Sequence, residues 1–187
     1  MSTPAPAARR SRVEIEGPVV ELFAFRVGSE EYVVDLHRVR EVVAPLPVRR
    51  MPRIPPYLEG VVDLRGEVVP VVDVRRRFGL TAGTPTRKTK LLLVQVAGMP
   101  LGLVVDAVTE VVRVPRAAIR PAPALARRAA PRLFLGVVGG LADARSVREG
   151  RAGSTGLKFL LNVKALLEPI GPDEVEAARA LASREGA

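Results

Sequence analysis

The sequence predicts a mainly β protein that contains two small barrels. Short valine-rich segments are separated by tight turns, with no long helix between them. This pattern favours barrels over alternating strands and helices. The chain also repeats itself, because the segment 27–43 aligns without a gap on 96–112, 69 positions later. Two units of this size bury little surface alone, so we expect them to pack face to face around a common hydrophobic core, with a groove along their junction.

The first hairpin is predicted to begin at Val19, after an Ala-, Pro- and Arg-rich segment without periodicity. An alternating pattern follows, a turn is expected at 28–31, and the apolar pattern returns at Tyr32. Residues 36–41 fit either one helical turn or a continued strand, and periodicity does not decide between them. The segment 45–56 is rich in proline, so it is predicted to be an extended crossover rather than a central strand.

The second hairpin, 60–73, contains the most distinctive turn of the chain. Arg65 and Gly66 stand between two valine-rich strands. Weaker copies of these strands recur at 136–138 and 160–163, but the Arg-Gly turn is not repeated there. This difference between the copies favours a special function for the turn in the first copy.

The remaining segments complete the two copies. A helical turn at 74–78 and a linker at 81–89 are predicted to follow the second hairpin. In the second copy we expect a hairpin at 90–96 and 101–112, a crossover at 115–131, strands at 133–141 and 158–163, and a polar loop at 143–156. The predicted organisation is a disordered basic tail at 1–18, a domain at 19–170 with subdomains at about 19–80 and 90–167, and a C-terminal α-helix at 171–187.

Composition limits the classes of protein to which the chain can belong. It contains no cysteine, which excludes disulfides and thiolate metal sites. No apolar run approaches the roughly 20 residues needed to cross a bilayer, and the N-terminus lacks the apolar core of a signal peptide. A cytoplasmic protein is therefore expected.

The net charge of +9 raises the alternative of a basic β-barrel that binds nucleic acid. The positive residues are nearly all arginine and are spread over many segments, including 75–77, which is typical of a solvated basic surface. Barrels that bind single strands also need exposed aromatic residues for base stacking. Phe23 and Phe25 share one face of a predicted strand and are expected in the core, which disfavours this alternative.

The sequence lacks the residues that an enzyme of a common class would need. His37 is the single histidine, and it stands in a strand-like segment where an ordinary surface position is expected. The glycines at 136–140 match neither a phosphate-binding loop nor a dinucleotide fingerprint. No serine has the context of an activated nucleophile, and no set of residues has metal-ligand spacing. A protein-interaction module needs only an apolar groove and a few placed charges.

From Val20 to Leu167 the sequence resembles the CheW family, the coupling proteins of bacterial chemosensory arrays. The blocks that carry the resemblance keep their order and spacing. They are Phe25-Arg26-Val27-Gly28 with Tyr32, Val39-Arg40-Glu41-Val42, Gly60-Val61-Val62-Asp63-Leu64-Arg65-Gly66, Val69-Pro70-Val71-Val72-Asp73-Val74-Arg75, Ile119-Arg120-Pro121-Ala122-Pro123 and Leu161-Asn162-Val163-Lys164-Ala165-Leu166-Leu167.

This resemblance implies two SH3-like five-stranded barrels around a common core, and a scaffold without catalytic activity or cofactor. It implies two partners, the cytoplasmic tip of a chemoreceptor and the regulatory domain of a CheA-type histidine kinase. The receptor hairpin is expected in the groove between the barrels. The residues that match the family's receptor-coupling positions are Val39, Glu41, Gly60, Arg65 and Gly66.

Two roles remain open for Arg65 at this point. A guanidinium can hold a carboxylate or helix carbonyls of a partner through two hydrogen bonds. It can also brace its own subdomain by binding Glu41. Gly66 suits a turn that requires a positive φ, so a purely structural role is open for that residue too.

Overall fold

A computed structural model describes residues 17–81, 83–124, 126, 132–139 and 156–168. The predicted tail, 1–18, lies almost entirely outside the described residues. The predicted polar loop, 143–156, overlaps them only at Gly156, and the C-terminal helix, 171–187, falls wholly outside them.

Within these residues ten strands form two sheets of five strands each. The strands are β1 (Val19–Val27), β2 (Glu30–Asp35), β3 (Val39–Val43), β4 (Leu58–Leu64), β5 (Glu67–Asp73), β6 (Lys90–Val96), β7 (Met99–Val105), β8 (Ala107–Pro115), β9 (Phe134–Val138) and β10 (Lys158–Leu161). Short helical segments are α1 (Val74–Arg77) and three 3-10 turns (Leu36–Arg38, Arg116–Ala118 and Val163–Leu166). The first of these turns resolves the ambiguity at 36–41, since one helical turn precedes strand β3.

The strand order differs from the expectation that each half of the sequence forms one barrel. The first sheet has the order β8-β1-β2-β10-β9, and the second has the order β3-β6-β7-β5-β4. The hairpin that opens each copy therefore joins the last three strands of the other copy. The division at 19–80 and 90–167 follows the repeat in the sequence but not the membership of the sheets.

Four strand pairs join the two copies, and two of these pairs are parallel. Strand β2 lies beside β10, with Tyr32 opposite Phe159, and β5 lies beside β7, with Val72 opposite Leu103. The other neighbours within the sheets are antiparallel. Parallel strands cannot be joined by a tight turn. Each parallel pair therefore joins strands that are distant in the sequence.

The largest hydrophobic core is shared by the two sheets, as predicted. It contains Phe23 and Phe25 from β1, Val72 from β5, and Leu92 and Leu103 from the β6–β7 hairpin. Smaller clusters lie on the other face of each sheet, around Val33 in the first and Val71 in the second. Strands such as β1 are thus covered on both faces, which explains why they carry nearly continuous apolar sequence.

Aromatic side chains are few, and most of them meet at one place in the shared core. Tyr32 packs within 6.2 Å, centroid to centroid, of four phenylalanine rings. These rings belong to Phe25, Phe78, Phe134 and Phe159. Five of the seven aromatic residues in the sequence therefore form one cluster. Phe78 follows β5 of the second sheet, whereas the other members come from first-sheet strands, so the cluster joins both sheets.

A pair of glycines at equivalent positions in the repeat allows each crossover to contact its sheet. A Cβ atom on Gly60 would lie 2.2 Å from the carbonyl oxygen of Arg49, and one on Gly136 would lie 2.6 Å from that of Arg120. The crossovers make single β-bridges at these places, Arg49 with Val61 and Arg120 with Val137. The predicted extended crossovers are thus attached to β4 and β9.

A charged link joins the sheets where the chain passes from β7 to β8. Nε and Nη2 of Arg75 lie 2.8 Å from the two carboxylate oxygens of Asp106, and the Gly28 amide donates to the same carboxylate at 2.7 Å. Burial alone would raise the pKa of Asp106, but the bonds from Arg75 and Gly28 hold it below its ordinary value of 3.8.

Arg77 is buried, contrary to the expectation that residues 75–77 belong to a solvated basic surface. Its side chain is 4% exposed, and it donates to the carbonyl oxygens of Ala165 at 2.9 Å and Leu166 at 3.1 Å. Its guanidinium also lies 5.0 Å from the centre of the Tyr57 ring. A helix C-terminus presents carbonyls without partners, and a buried arginine can satisfy them.

We expect Gly60→Ala to lower the free energy of unfolding by about 3–5 kcal/mol, since the new methyl group clashes with Arg49 and φ is +141°. Gly66→Ala is the matched control. That glycine also has a positive φ but nothing within 4 Å of its Cβ position, so a loss of about 1–2 kcal/mol is expected. Urea denaturation measures both values. Equal losses would contradict the contact with the crossover.

We expect Asp106→Asn to lower the free energy of unfolding at pH 7 by about 1.5–3 kcal/mol, because it weakens the bonds from Arg75 and Gly28. The folded-state pKa of Asp106 is depressed, so its contribution is present above pH 3.8 and is lost as pH falls further. The difference between wild type and variant should therefore shrink below that pH in urea denaturation. A difference that stays constant under acid conditions would contradict this role.

Candidate partner-binding site

The Arg65-Gly66 turn connects β4 to β5 in a conformation that few side chains favour. Both residues are left-handed, with φ of 56° for Arg65 and 85° for Gly66. Two positive φ angles in a two-residue hairpin match the twist of the flanking strands. A carboxylate oxygen of Asp63 accepts a hydrogen bond from the Gly66 amide at 2.8 Å. The predicted positive φ at Gly66 is confirmed, whereas the positive φ at Arg65 was not foreseen.

The guanidinium of Arg65 binds the carboxylate of Glu41 with two nitrogens. The distances are 3.1 Å from Nη2 to one oxygen and 3.5 Å from Nη1 to the other. The proposed brace is therefore present in the structure. The Arg65 side chain is nevertheless 76% exposed, whereas that of Glu41 is 27% exposed. One side of the guanidinium is held, and most of it faces solvent.

A second ion pair lies beside the first. Nη1 of Arg40 lies 2.9 Å from a carboxylate oxygen of Glu67. Arg40 directly precedes Glu41 in the sequence, and Glu67 follows Arg65 by two residues. Together these residues form a charged patch of alternating sign, defined as Arg40, Glu41, Arg65 and Glu67. Strands β3 and β4 are the two outer strands of the second sheet, so the patch connects its two ends.

Two exposed valines flank the charged patch in the sequence. Val42 follows Glu41 and is 37% exposed, and Val68 follows Glu67 and is 64% exposed. The sequence analysis did not single out these valines, Arg40 or Glu67. The sequence does carry a signal for the second ion pair, because Arg40 stands beside Glu41 and Glu67 stands two residues after Arg65, each with the opposite charge. A surface that combines fixed charges with aliphatic groups is suited to a protein partner.

Val39 and Gly60 are not members of the charged patch, although Val39 directly precedes Arg40 in β3. Val39 is partly buried and packs against the shared core, and Gly60 is buried under the backbone of Arg49. Glu41, Arg65 and Gly66 are thus brought together where the outer strand β3 meets the turn between β4 and β5. The other two predicted positions shape the sheet that carries them.

In the described part of the second copy, the equivalent of Glu41 has a different partner. Glu110, the equivalent of Glu41, lies 3.3 Å from Lys158, which also binds Glu31 at 2.6 Å. Burial alone would lower the pKa of Lys158, but the hydrogen bonds and charges of Glu31 and Glu110 raise it above its ordinary value. This lysine is largely buried, whereas Arg65 is exposed.

His37 lies in the 3-10 turn Leu36–Arg38 rather than in a strand. The residue is exposed, and its backbone amide donates to the carboxylate of Asp35 at 2.9 Å. Over the described part of the chain no group of three or more potential metal ligands comes together. These local arrangements suit turns and surface structure.

Comparison with known proteins decides the family. The model of the CheW-like domain matches residues 21–168, which is most of the chain. The chain belongs to the CheW family. The resemblance found in the sequence is therefore confirmed.

Several proteins, most of them named chemotaxis protein CheW, are similar in sequence. The chemotaxis protein CheW of Rhizobium meliloti (strain 1021) is 42% identical over 106 residues, which cover 57% of this chain and 68% of that protein. CheW of Helicobacter pylori is 33% identical over 63% of this chain and 71% of its own length. Protein FrzA of Myxococcus xanthus is 36% identical over 65% of this chain and 75% of that protein.

A solved structure shares the fold. The crystal structure of the scaffolding protein TtCheW from Thermoanaerobacter tengcongensis superposes with a TM-score of 0.66 at 25% identity, over 82% of this chain and 96% of that chain. The two five-stranded sheets are accordingly the two SH3-like barrels of a CheW domain. The CheW family consists of non-catalytic scaffolds that couple chemoreceptors to CheA in chemotaxis, so the predicted adaptor role is confirmed.

No helix in the described ranges has the length and apolar character that a membrane span requires.

We expect Arg65→Gly to change the free energy of unfolding of this CheW protein by less than about 1 kcal/mol. The variant loses an exposed ion pair, which contributes about 0–1 kcal/mol, and it gains a residue that adopts a positive φ without strain. Urea denaturation at physiological salt measures the change. A loss of more than about 2 kcal/mol would mean that the bond to Glu41 is a necessary brace.

Proposed function

We propose that this chain couples methyl-accepting chemoreceptors to a CheA-type histidine kinase, and that the receptor tip contacts the charged patch through Arg65. The observation that carries the proposal is an exposed arginine held in a left-handed turn by Glu41. The proposed location is the cytoplasm, at membrane-associated receptor arrays.

The conformation of Arg65 favours a binding role over a structural one. A left-handed backbone costs a residue with a side chain about 1–2 kcal/mol, and glycine or asparagine avoids most of that cost. The ion pair with Glu41 is exposed, so it returns at most about 1 kcal/mol to the fold. The stability of the hairpin therefore does not account for an arginine at this position. A partner that supplies a carboxylate or helix carbonyls does account for it.

Glu41 orients the guanidinium of Arg65 before a partner binds. Free arginine side chains lose rotamer freedom when they bind, which weakens association. Here Nη1 and Nη2 already face Glu41, so the remaining N–H donors point in fixed directions. The exposed Val42 and Val68, which adjoin Glu41 and Glu67 in the sequence, add exposed apolar surface to the same sheet.

The shared core suits an adaptor that transmits geometry. The two barrels pack on one continuous set of side chains, including the aromatic cluster around Tyr32, and do not meet through a flexible linker. A partner on one barrel is thereby held at a fixed orientation to a partner on the other. Individual contacts of about micromolar strength would suffice, because a repeated array adds avidity.

The first test is a pull-down with the purified full-length chain as bait, in lysate of the bacterium that encodes it, at physiological salt. Mass spectrometry should identify a CheA-type kinase and a methyl-accepting receptor among the captured proteins. If both are absent while an unrelated assembly is captured, the proposed partners are wrong.

Arg65→Gly should weaken binding to the captured receptor by at least about tenfold while kinase binding is retained, because arginines at interface centres are frequent hot spots. Arg113→Ala is the control, since Arg113 is 72% exposed and pairs with Glu21 on the first sheet. Binding isotherms of the purified receptor fragment measure both variants. Equal affinities for Arg65→Gly and wild type would rule out the proposed contact.

A further inference from the structure

A second concave site lies on the second sheet, away from the charged patch. It is a cavity of about 230 Å³ between the crossover at 45–48, the linker at 83–89 and the start of strand β4. Its apolar lining comes from Leu46, Val48, Val71, Leu91 and Val104. Glu59, Asp73, Arg75 and Asp106 supply the charged groups. Glu59 lies near the beginning of β4, whereas Arg65 follows the end of that strand.

Most of the charge in this cavity is already paired. Arg75 holds Asp106 through two nitrogens, as described for the link between the sheets. Asp73 caps α1 by accepting from the Arg76 amide, and it also forms an ion pair with the Arg76 side chain at 3.2 Å. Of the four charged residues named above, Glu59 is the one that takes no part in these pairs. Within the described ranges, the carboxylate of Glu59 makes no ion pair within 4.0 Å and no side-chain hydrogen bond.

Glu59 is a partly buried carboxylate whose charge is only partly offset by nearby arginines. Burial raises its pKa above the ordinary value of 4.5, and repulsion by Asp73 adds to this shift. Arg76 and Arg50 act in the opposite direction but do not cancel it. A cation that entered the cavity would relieve both the desolvation and the repulsion.

We propose that this cavity binds the arginine side chain of a partner protein, with the guanidinium on Glu59 and the aliphatic stem on the apolar lining. The volume is below the range of about 300–1,000 Å³ that small-molecule and cofactor sites occupy, which favours a single side chain. Long basic side chains combine an apolar stem with a charged end, and this cavity has both kinds of lining.

One physical argument selects arginine as the bound side chain. A second argument selects a partner protein, rather than another copy of this chain, as its source. The guanidinium is more weakly hydrated than an ammonium group and binds a carboxylate with two donors, so it suits a partly buried site. A second copy of this chain is disfavoured as the donor, because a net charge of +9 on each copy opposes self-association. This proposal does not depend on the receptor contact at Arg65.

The test uses the ¹⁵N-labelled full-length chain and two probes, N-acetyl-arginine amide and the isosteric neutral N-acetyl-citrulline amide. The arginine probe should give saturable shifts of backbone amides that line the cavity, including Glu59 and Leu91, with a dissociation constant of about millimolar order. The citrulline probe should bind at least about tenfold more weakly. Glu59→Gln should weaken arginine binding by a similar factor, and Glu21→Gln, which alters an ion pair on the first sheet, should leave it unchanged.

Several results would overturn the proposal. They are the absence of saturable shifts with arginine, equal binding of arginine and citrulline to the wild type, and unchanged arginine binding in Glu59→Gln. Equal binding of N-acetyl-lysine amide would reject the selection of a guanidinium. Sedimentation that shows self-association of the wild type, abolished by Glu59→Gln, would replace the partner protein with a second copy. Receptor and kinase capture in the pull-down is a separate readout, so failure here leaves the coupling function standing.

Discussion

Pairing between strands from opposite halves of the sequence is the constraint on which the rest of the structure depends. The parallel pairs β2–β10 and β5–β7, together with the antiparallel pairs β1–β8 and β3–β6, place each opening hairpin in the sheet formed mainly by the other copy. The shared core follows from this exchange, because strands such as β1 and β7 become covered on both faces. The Arg75–Asp106 ion pair and the hydrogen bonds of the buried Arg77 then connect segments of the two sheets.

Local features of the fold were predictable from the sequence, and its long-range pairing was not. Strand periodicity and the need for glycine depend on neighbouring residues, so the repeat correctly located equivalent positions such as Gly60 and Gly136. Alternating apolar residues specify a strand but not its partner, and the exchange between the copies therefore escaped prediction. Arg77 escaped for a related reason. Its hydrogen-bond partners, the carbonyls of Ala165 and Leu166, are almost 90 residues away.

The candidate site shows the same division. Glu41, Arg65 and Gly66 were predicted and lie together, because a turn and a conspicuous charge are visible in the sequence. Val39 and Gly60 serve the shape of the second sheet, a role that only contacts reveal. Glu110, the equivalent of Glu41 in the second copy, instead lies beside the largely buried Lys158, so the two copies hold this glutamate in different surroundings.

The strand exchange has a consequence for how the chain folds during its synthesis on the ribosome. The chain emerges from its N-terminus, so β1 and β2 leave the exit tunnel long before β8, β9 and β10 exist. The lateral neighbour of β1, strand β8, is complete only at residue 115, and that of β2, strand β10, only at residue 161. Unpaired valine-rich edges of this kind attract other chains. The order of synthesis therefore exposes the N-terminal hairpin for most of translation, and chaperones that recognise extended apolar segments would have their longest opportunity there.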